Sequence, residues 1–205
     1  LLLFIVLFSC KNFDNTFSKI NELYDQKKYE EVIKTYAGKE EYRKDARIAN
    51  KIGMAYHNLG LFEKAISCYD EAIKLEKTES VFYSNKALSE IEIGEYISAS
   101  VSCEKAIELD DENFRAYVNS SYAFIKLKQW DWALKDLNKA ISIRGVEEKE
   151  MAVAYANLGT IYLNKNEDKK ALEYSNLAIE KNNEISWAYK NRAYLNMNKY
   201  ESTAN

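Results

Sequence analysis

The chain has 205 residues, 47% of them apolar and 30% charged, with a net charge of −3. That balance supports a folded core rather than disorder, and without a basic excess it argues against nucleic acid as a partner. Proline is absent and glycine occurs six times, so a chain rich in Ala, Leu, Ile, Lys and Glu is predicted to be helical throughout.

The first segment reads LLLFIVLFSCKN. Nine uncharged residues precede Cys10, too few to cross a bilayer, which takes about 20, but suited to the core of a signal peptide. Leu7-Phe8-Ser9-Cys10 resembles a bacterial lipobox. The resemblance implies that residues 1–9 are part of a cleaved signal peptide and that Cys10 is lipidated. Acyl chains would then hold the protein on a membrane, with residues 10–12 as a short tether. The Asn-, Lys- and Tyr-rich sequence that follows resembles lipoproteins of the Bacteroidetes. Lys11 stands where, in many Gram-negative bacteria, Asp signals retention at the inner membrane, so the outer membrane is the expected address, on its periplasmic or its surface face.

Beyond the tether the sequence repeats. Ala72, Ala106, Ala140 and Ala178 are spaced 34, 34 and 38 apart, as are Ala65, Ala99, Ala133 and Ala171. The small residues Gly53, Ala87, Ser121 and Gly159 keep the same intervals. Phe62, Tyr96 and Trp130 keep the 34 step, and Asp168 takes the matching place in the next unit. Shared intervals in this range mark an array of stacked supersecondary units. Each unit holds two helical patterns: Tyr83, Ala87 and Glu90 fall at i, i+4, i+7, and after Gly94 so do Ala99, Cys103 and Ala106. Gly60 and Gly94 stand at the turn between the two, where a left-handed residue ends a helix. The small positions predict close helix approach, Gly53 against Ala65 and Gly159 against Ala171. Units are expected at 46–79, 80–113, 114–147 and 152–185. A degenerate unit is expected at 13–45 and a truncated one from 186 to 205. Four extra residues within GVEEKEM are expected to lengthen a helix or a loop.

A 34-residue helix–turn–helix with small, aromatic and alanine positions in this order resembles the tetratricopeptide repeat. The resemblance covers almost everything after Cys10. It implies an all-α fold, a right-handed α-solenoid of tandem helix–turn–helix repeats whose first helices line a concave surface. The proline usual near each unit's end is replaced by Lys77, Asp111, Gly145 and Asn183. Glu90 stands at a normally aromatic core position, where a locally paired carboxylate is expected.

The resemblance also places residues in the groove. Arg47, Asn50, Met54 and His57 come from one unit, and Val81, Ser84, Asn85 and Leu88 from the next. Arg115, Val118, Asn119 and Tyr122 follow, then Val153, Asn157 and Thr160, then Trp187, Lys190, Asn191 and Tyr194. Asn85, Asn119, Asn157 and Asn191 recur at one position. Carboxamides both donate and accept, so the row is similar to the asparagine ladder that binds peptide main chain in O-linked N-acetylglucosamine transferases. The alternative is hydrogen bonding within or between the helices. The carboxylate clamp that grips acidic chaperone tails is not supported, since only Asn85 matches it.

Catalysis is not expected. His57 is the single histidine and has no acid or nucleophile at motif spacing. Cys68 and Cys103 lie 35 apart without a CxxC partner, so neither zinc nor redox chemistry is expected. The acidic runs lack a calcium loop's alternation of oxygen ligands. No cofactor, metal or small-molecule substrate is implied. The expected function is a non-enzymatic scaffold, lipid-anchored at the bacterial envelope, that binds a protein or extended peptide. The alternative is the docking half of a larger signalling protein or enzyme, suggested because YLNMNKYESTAN stops inside a helix pair.

Overall fold

The structure, a computed structural model, describes the backbone of residues 2–39, 42 and 44–203 and the side chains of residues 14–39, 42 and 44–197. The side chain of Cys10 and those of the apolar run before it lie outside the described residues.

The chain divides into two compact units, Leu1–Asp110 and Asp111–Asn205. The first holds α1 (Leu2–Asp25), α2 (Tyr29–Tyr36), α3 (Ala46–Asn58), α4 (Phe62–Leu75), α5 (Ser80–Glu92) and α6 (Tyr96–Leu109). The second holds α7 (Phe114–Lys126), α8 (Trp130–Ser142), α9 (Glu148–Asn164), α10 (Asp168–Lys181) and α11 (Ser186–Thr203). The described residues form helices without strands, arranged as successive helix–turn–helix pairs. No helix among them is long and apolar enough to cross a membrane.

The periodic residues show how the sequence writes this arrangement. Phe62, Tyr96, Trp130 and Asp168 are the first residues of α4, α6, α8 and α10. The residue two before each, at Gly60, Gly94, Lys128 and Asn166, has positive φ, as does Lys27 before α2. That left-handed step lets two amides turn back on the ending helix: Gly60 N–H donates to His57 O and Leu61 N–H to Tyr56 O. Lys128 and Asn166 make the same turn, with Gln129 N–H on Phe124 O and Glu167 N–H on Tyr162 O. They do so without glycine because the backbone bonds and flanking helices hold the step against a modest steric cost.

Both alanine series are fully buried, so backbones approach closely at these places. The nearest contacts lie one turn beyond the expected alanines. A Cβ added at Gly53 would meet the Tyr69 ring at 2.7 Å and Cys68 Cβ at 3.1 Å, rather than Ala65. One at Gly159 would meet Ser175 Oγ at 2.7 Å before the Ala171 carbonyl at 3.4 Å. The small residue therefore accommodates the side chain one turn beyond the alanine, because helical side chains lean toward the N-terminus over the preceding turn.

In the first unit Ile20 of α1 and Val32 and Tyr36 of α2 share a core with Ile48, Ile52 and Cys68. Residues of α1 from Asp14 onward are thus tied to α3 by packing and by the Asp14–Arg47 ion pair. In the second unit Ala152, Ala156, Ala178, Ile185 and Ala188 pack together, joining α9, α10 and α11. The residues added within GVEEKEM lengthen α9, which starts at Glu148 and runs for 17 residues where α3, α5 and α7 have 13.

The first-helix faces

In the first unit the candidate residues lie on α3 and α5. Arg47 is held by Asp45, which accepts from Nε at 3.1 Å and Nη2 at 2.6 Å, and by Asp14 at 2.9 Å. Its guanidinium also lies 5.0 Å from the centroid of the Phe17 ring. Two carboxylates therefore compensate this cation. Asp45 in turn accepts from the Arg47 amide and caps α3. Asn85 Nδ2 donates to Asn50 Oδ1 at 2.9 Å, joining the two first helices. Ser84 is buried, with its hydroxyl donating to Val81 O of its own helix. His57 Nδ1 lies 2.9 Å from Ser89 Oγ and its ring meets Phe62 edge-on. Burial holds the His57 pKa below its usual value, so the ring is neutral near pH 7.

In the second unit the candidates lie on α7, α9 and α11. Arg115 Nε donates to Glu150 at 2.8 Å, so the lengthened α9 supplies its counter-ion. Tyr122 carries the Lys126 ammonium over its ring at 5.1 Å. Asn191 Nδ2 donates to Thr160 Oγ1 at 3.1 Å and to Ala156 O at 3.3 Å. Asn157 is buried, and its Nδ2 has no hydrogen-bond partner among the described residues. Asn119 is engaged rather than free. Trp187 and Tyr194 stand open on α11, 39% and 54% exposed.

The asparagines recurring at one position thus hold two states. Asn85 and Asn191 bond to the preceding first helix, while Asn157 keeps an unmet donor. A carboxamide set at the same height on neighbouring parallel helices reaches the next helix as easily as a ligand. Arg47 with Asn50, and Asn50 with Asn85, are brought together. Ser84 is turned away from the exposed face.

Two buried polar features lie beside these faces, the first not anticipated and the second expected as a locally paired carboxylate. Ser120 donates to Asp136 at 2.6 Å inside the α7–α8 interface, and burial raises the Asp136 pKa against that bond. Asp136 stands three residues after Ala133, where the other units have Cys68, Ser102 and Tyr174. This register was the available signal. The second feature is Glu90, 4% exposed, with Lys86 at 3.8 Å and Oε2 unpartnered. Lys86 bonds more tightly to Asp70, at 2.6 Å.

The architecture places the protein among helical-repeat proteins built from tandem helix–turn–helix pairs. More narrowly, residues 46–79 and 152–184 match the family model of the tetratricopeptide repeat. Over 110 residues the chain is 30% identical to the human mitochondrial import receptor subunit TOM70, covering 51% of this chain and 18% of that protein. Over 179 residues it is 28% identical to stress-induced-phosphoprotein 1 of Caenorhabditis elegans, covering 73% of this chain and 56% of that one. The chain therefore spans less than a fifth of the first relative and just over half of the second. Among solved structures, Pseudomonas aeruginosa pilF superposes with a TM-score of 0.68 at 20% identity, covering 76% of this chain and 69% of its own. That likeness is one of fold.

Proposed function

We propose that the protein is a non-enzymatic scaffold that binds a protein or an extended peptide along its first-helix faces. It is held at the bacterial envelope, on the outer membrane, by lipid on Cys10. The observation that carries the binding reading is the second unit's face. Trp187 and Tyr194 are exposed on α11, so rigid aromatic area is offered on this face. Relatives that include an import receptor support the same class of role. The lipobox resemblance at Leu7–Cys10 supports the anchor.

The test uses the array from residue 11 onward as bait, with Asn119→Ala and Tyr122→Ala combined. Partner capture is expected to fall at least tenfold, about 1.4 kcal/mol, while the melting curve keeps its cooperativity. Undiminished capture by the double variant removes this face from the proposal. In cells, palmitate labelling is expected for the wild type and absent for Cys10→Ala; equal labelling of the two removes the anchor.

A further inference from the structure

The first unit has a recess of about 560 Å³ near the N-terminal ends of α3 and α5 and the C-terminal end of α4. That volume suits a small ligand or a few residues of chain. Phe17, Leu75, Val81 and Phe82 supply its apolar lining, and Leu75 and Val81 are exposed.

Asn50 also lines it and is only 8% exposed. Its Oδ1 takes the amide of Asn85, which fixes the orientation of the carboxamide. Its Nδ2 finds only the Met54 sulfur at 3.8 Å, and a thioether is a weak acceptor. A carbonyl oxygen reaching this N–H would complete a buried donor, which is costly to leave unmet.

The lining charges divide unequally. Arg47 is compensated by Asp45 and Asp14. Lys44 is engaged already, and the Lys51 ammonium lies 4.6 Å over the Tyr24 ring. On the acidic side, Glu76 takes only the Thr78 hydroxyl at 2.6 Å. Glu79 leads into α5 without a side-chain capping bond. The Tyr24 ring does not neutralise Lys51, so two carboxylates stand against one ammonium and the net charge left to face a newcomer is negative.

From these observations we infer that the recess docks a short extended segment of a partner polypeptide in which apolar residues alternate with lysine or arginine. A main-chain carbonyl accepts from Asn50 Nδ2. An apolar side chain lies against Phe17, Leu75 and Val81, and the neighbouring cation meets Glu76 and Glu79. This rests on the peptide-binding reading above and adds the location and the chemistry of the segment.

The probe is a blocked heptapeptide alternating leucine and lysine, with a leucine–glutamate counterpart, titrated into the full chain by fluorescence anisotropy. The lysine peptide is expected to bind the wild type at least tenfold more tightly than the glutamate peptide. The double variant Glu76→Lys, Glu79→Lys is expected to reverse that order. These glutamates are exposed, so the variant should fold, and its circular dichroism and melting curve check that it has. Equal binding of the two peptides, tighter binding of the glutamate peptide to the wild type, no binding of either at about 1 mM (weaker than about −4 kcal/mol), or an order unmoved by charge reversal each overturns the inference. If partner capture still depends on Asn119 and Tyr122 when this test fails, the recess is excluded and the wider reading stands.

Discussion

Replacing Tyr69 by alanine is expected to destabilise the first unit by about 3–5 kcal/mol. At the size of that unit this lowers the melting temperature by on the order of 15 °C or more. Tyr69 is among the largest fully buried side chains, 1% exposed. Its ring lies where a Gly53 Cβ would stand, and its hydroxyl bonds to Ser89 of α5. One side chain thus ties α4 to α3 and to the first helix of the next repeat. Burial raises its pKa, which keeps the phenol neutral.

The same contact predicts that substitutions at Gly53 and Tyr69 are coupled. Gly53→Ala in the wild type forces a methyl onto the ring and costs about 1–3 kcal/mol. That exceeds the gain of about 1 kcal/mol from replacing a helical glycine. In the Tyr69→Ala background the ring is gone and Cys68 Cβ, at 3.1 Å, is the remaining close neighbour, so Gly53→Ala is expected to cost clearly less than in the wild type. Urea unfolding of the four proteins completes the cycle. If Gly53→Ala has the same effect in both backgrounds, the glycine is not there for the tyrosine.

The second large effect is at Glu90. Burial raises its pKa above the usual carboxylate value, and the Ser102 hydroxyl and Lys86 offset this only in part. The nearby Asp70 and Glu95 carboxylates push it up further. A raised folded-state pKa means that the folded state holds the proton more tightly than the unfolded chain. The contribution of Glu90 to stability is therefore fully present below its unfolded pKa, about 4.3. It is lost as pH rises through the folded value.

Glu90→Gln removes that loss and leaves Lys86 its bond to Asp70. The variant is expected to be more stable than wild type at pH 7, because it has no proton to lose as pH rises through the folded-state value. The advantage should shrink toward zero as pH falls to about 4. Paired melting curves between pH 4 and 7 read this difference directly. A variant less stable at pH 7, or an advantage that does not change with pH, shows that the Lys86 pair outweighs burial.

Much of the candidate face was legible because its register is periodic. Asn85, Asn119, Asn157 and Asn191 recur by subtraction along the chain, and the resemblance to the repeat family assigned them and Arg47 to the first-helix faces. What each polar group bonds to could not be placed in that way. Arg47 is met by Asp14 across 33 positions, Arg115 by Glu150 across 35, and Asn85 by Asn50 across 35. Ser84 shows the limit most plainly, since its position suggested the groove while its hydroxyl returned to its own backbone.

The sequence alone determined the period, the all-helical class and the place of every second-helix start from Phe62 to Asp168. Those properties come from local forces: apolar spacing over one helical turn, helix propensity, and small residues that recur with each unit. Tertiary structure decided which polar side chains were spent on neighbouring helices and which kept an unmet donor, as Asn157 did. It also decided that Tyr69, rather than Ala65, fills the space left by Gly53. Those outcomes depend on helix separations of a few ångströms and on side-chain rotamers, which stacking fixes and a repeat pattern does not encode.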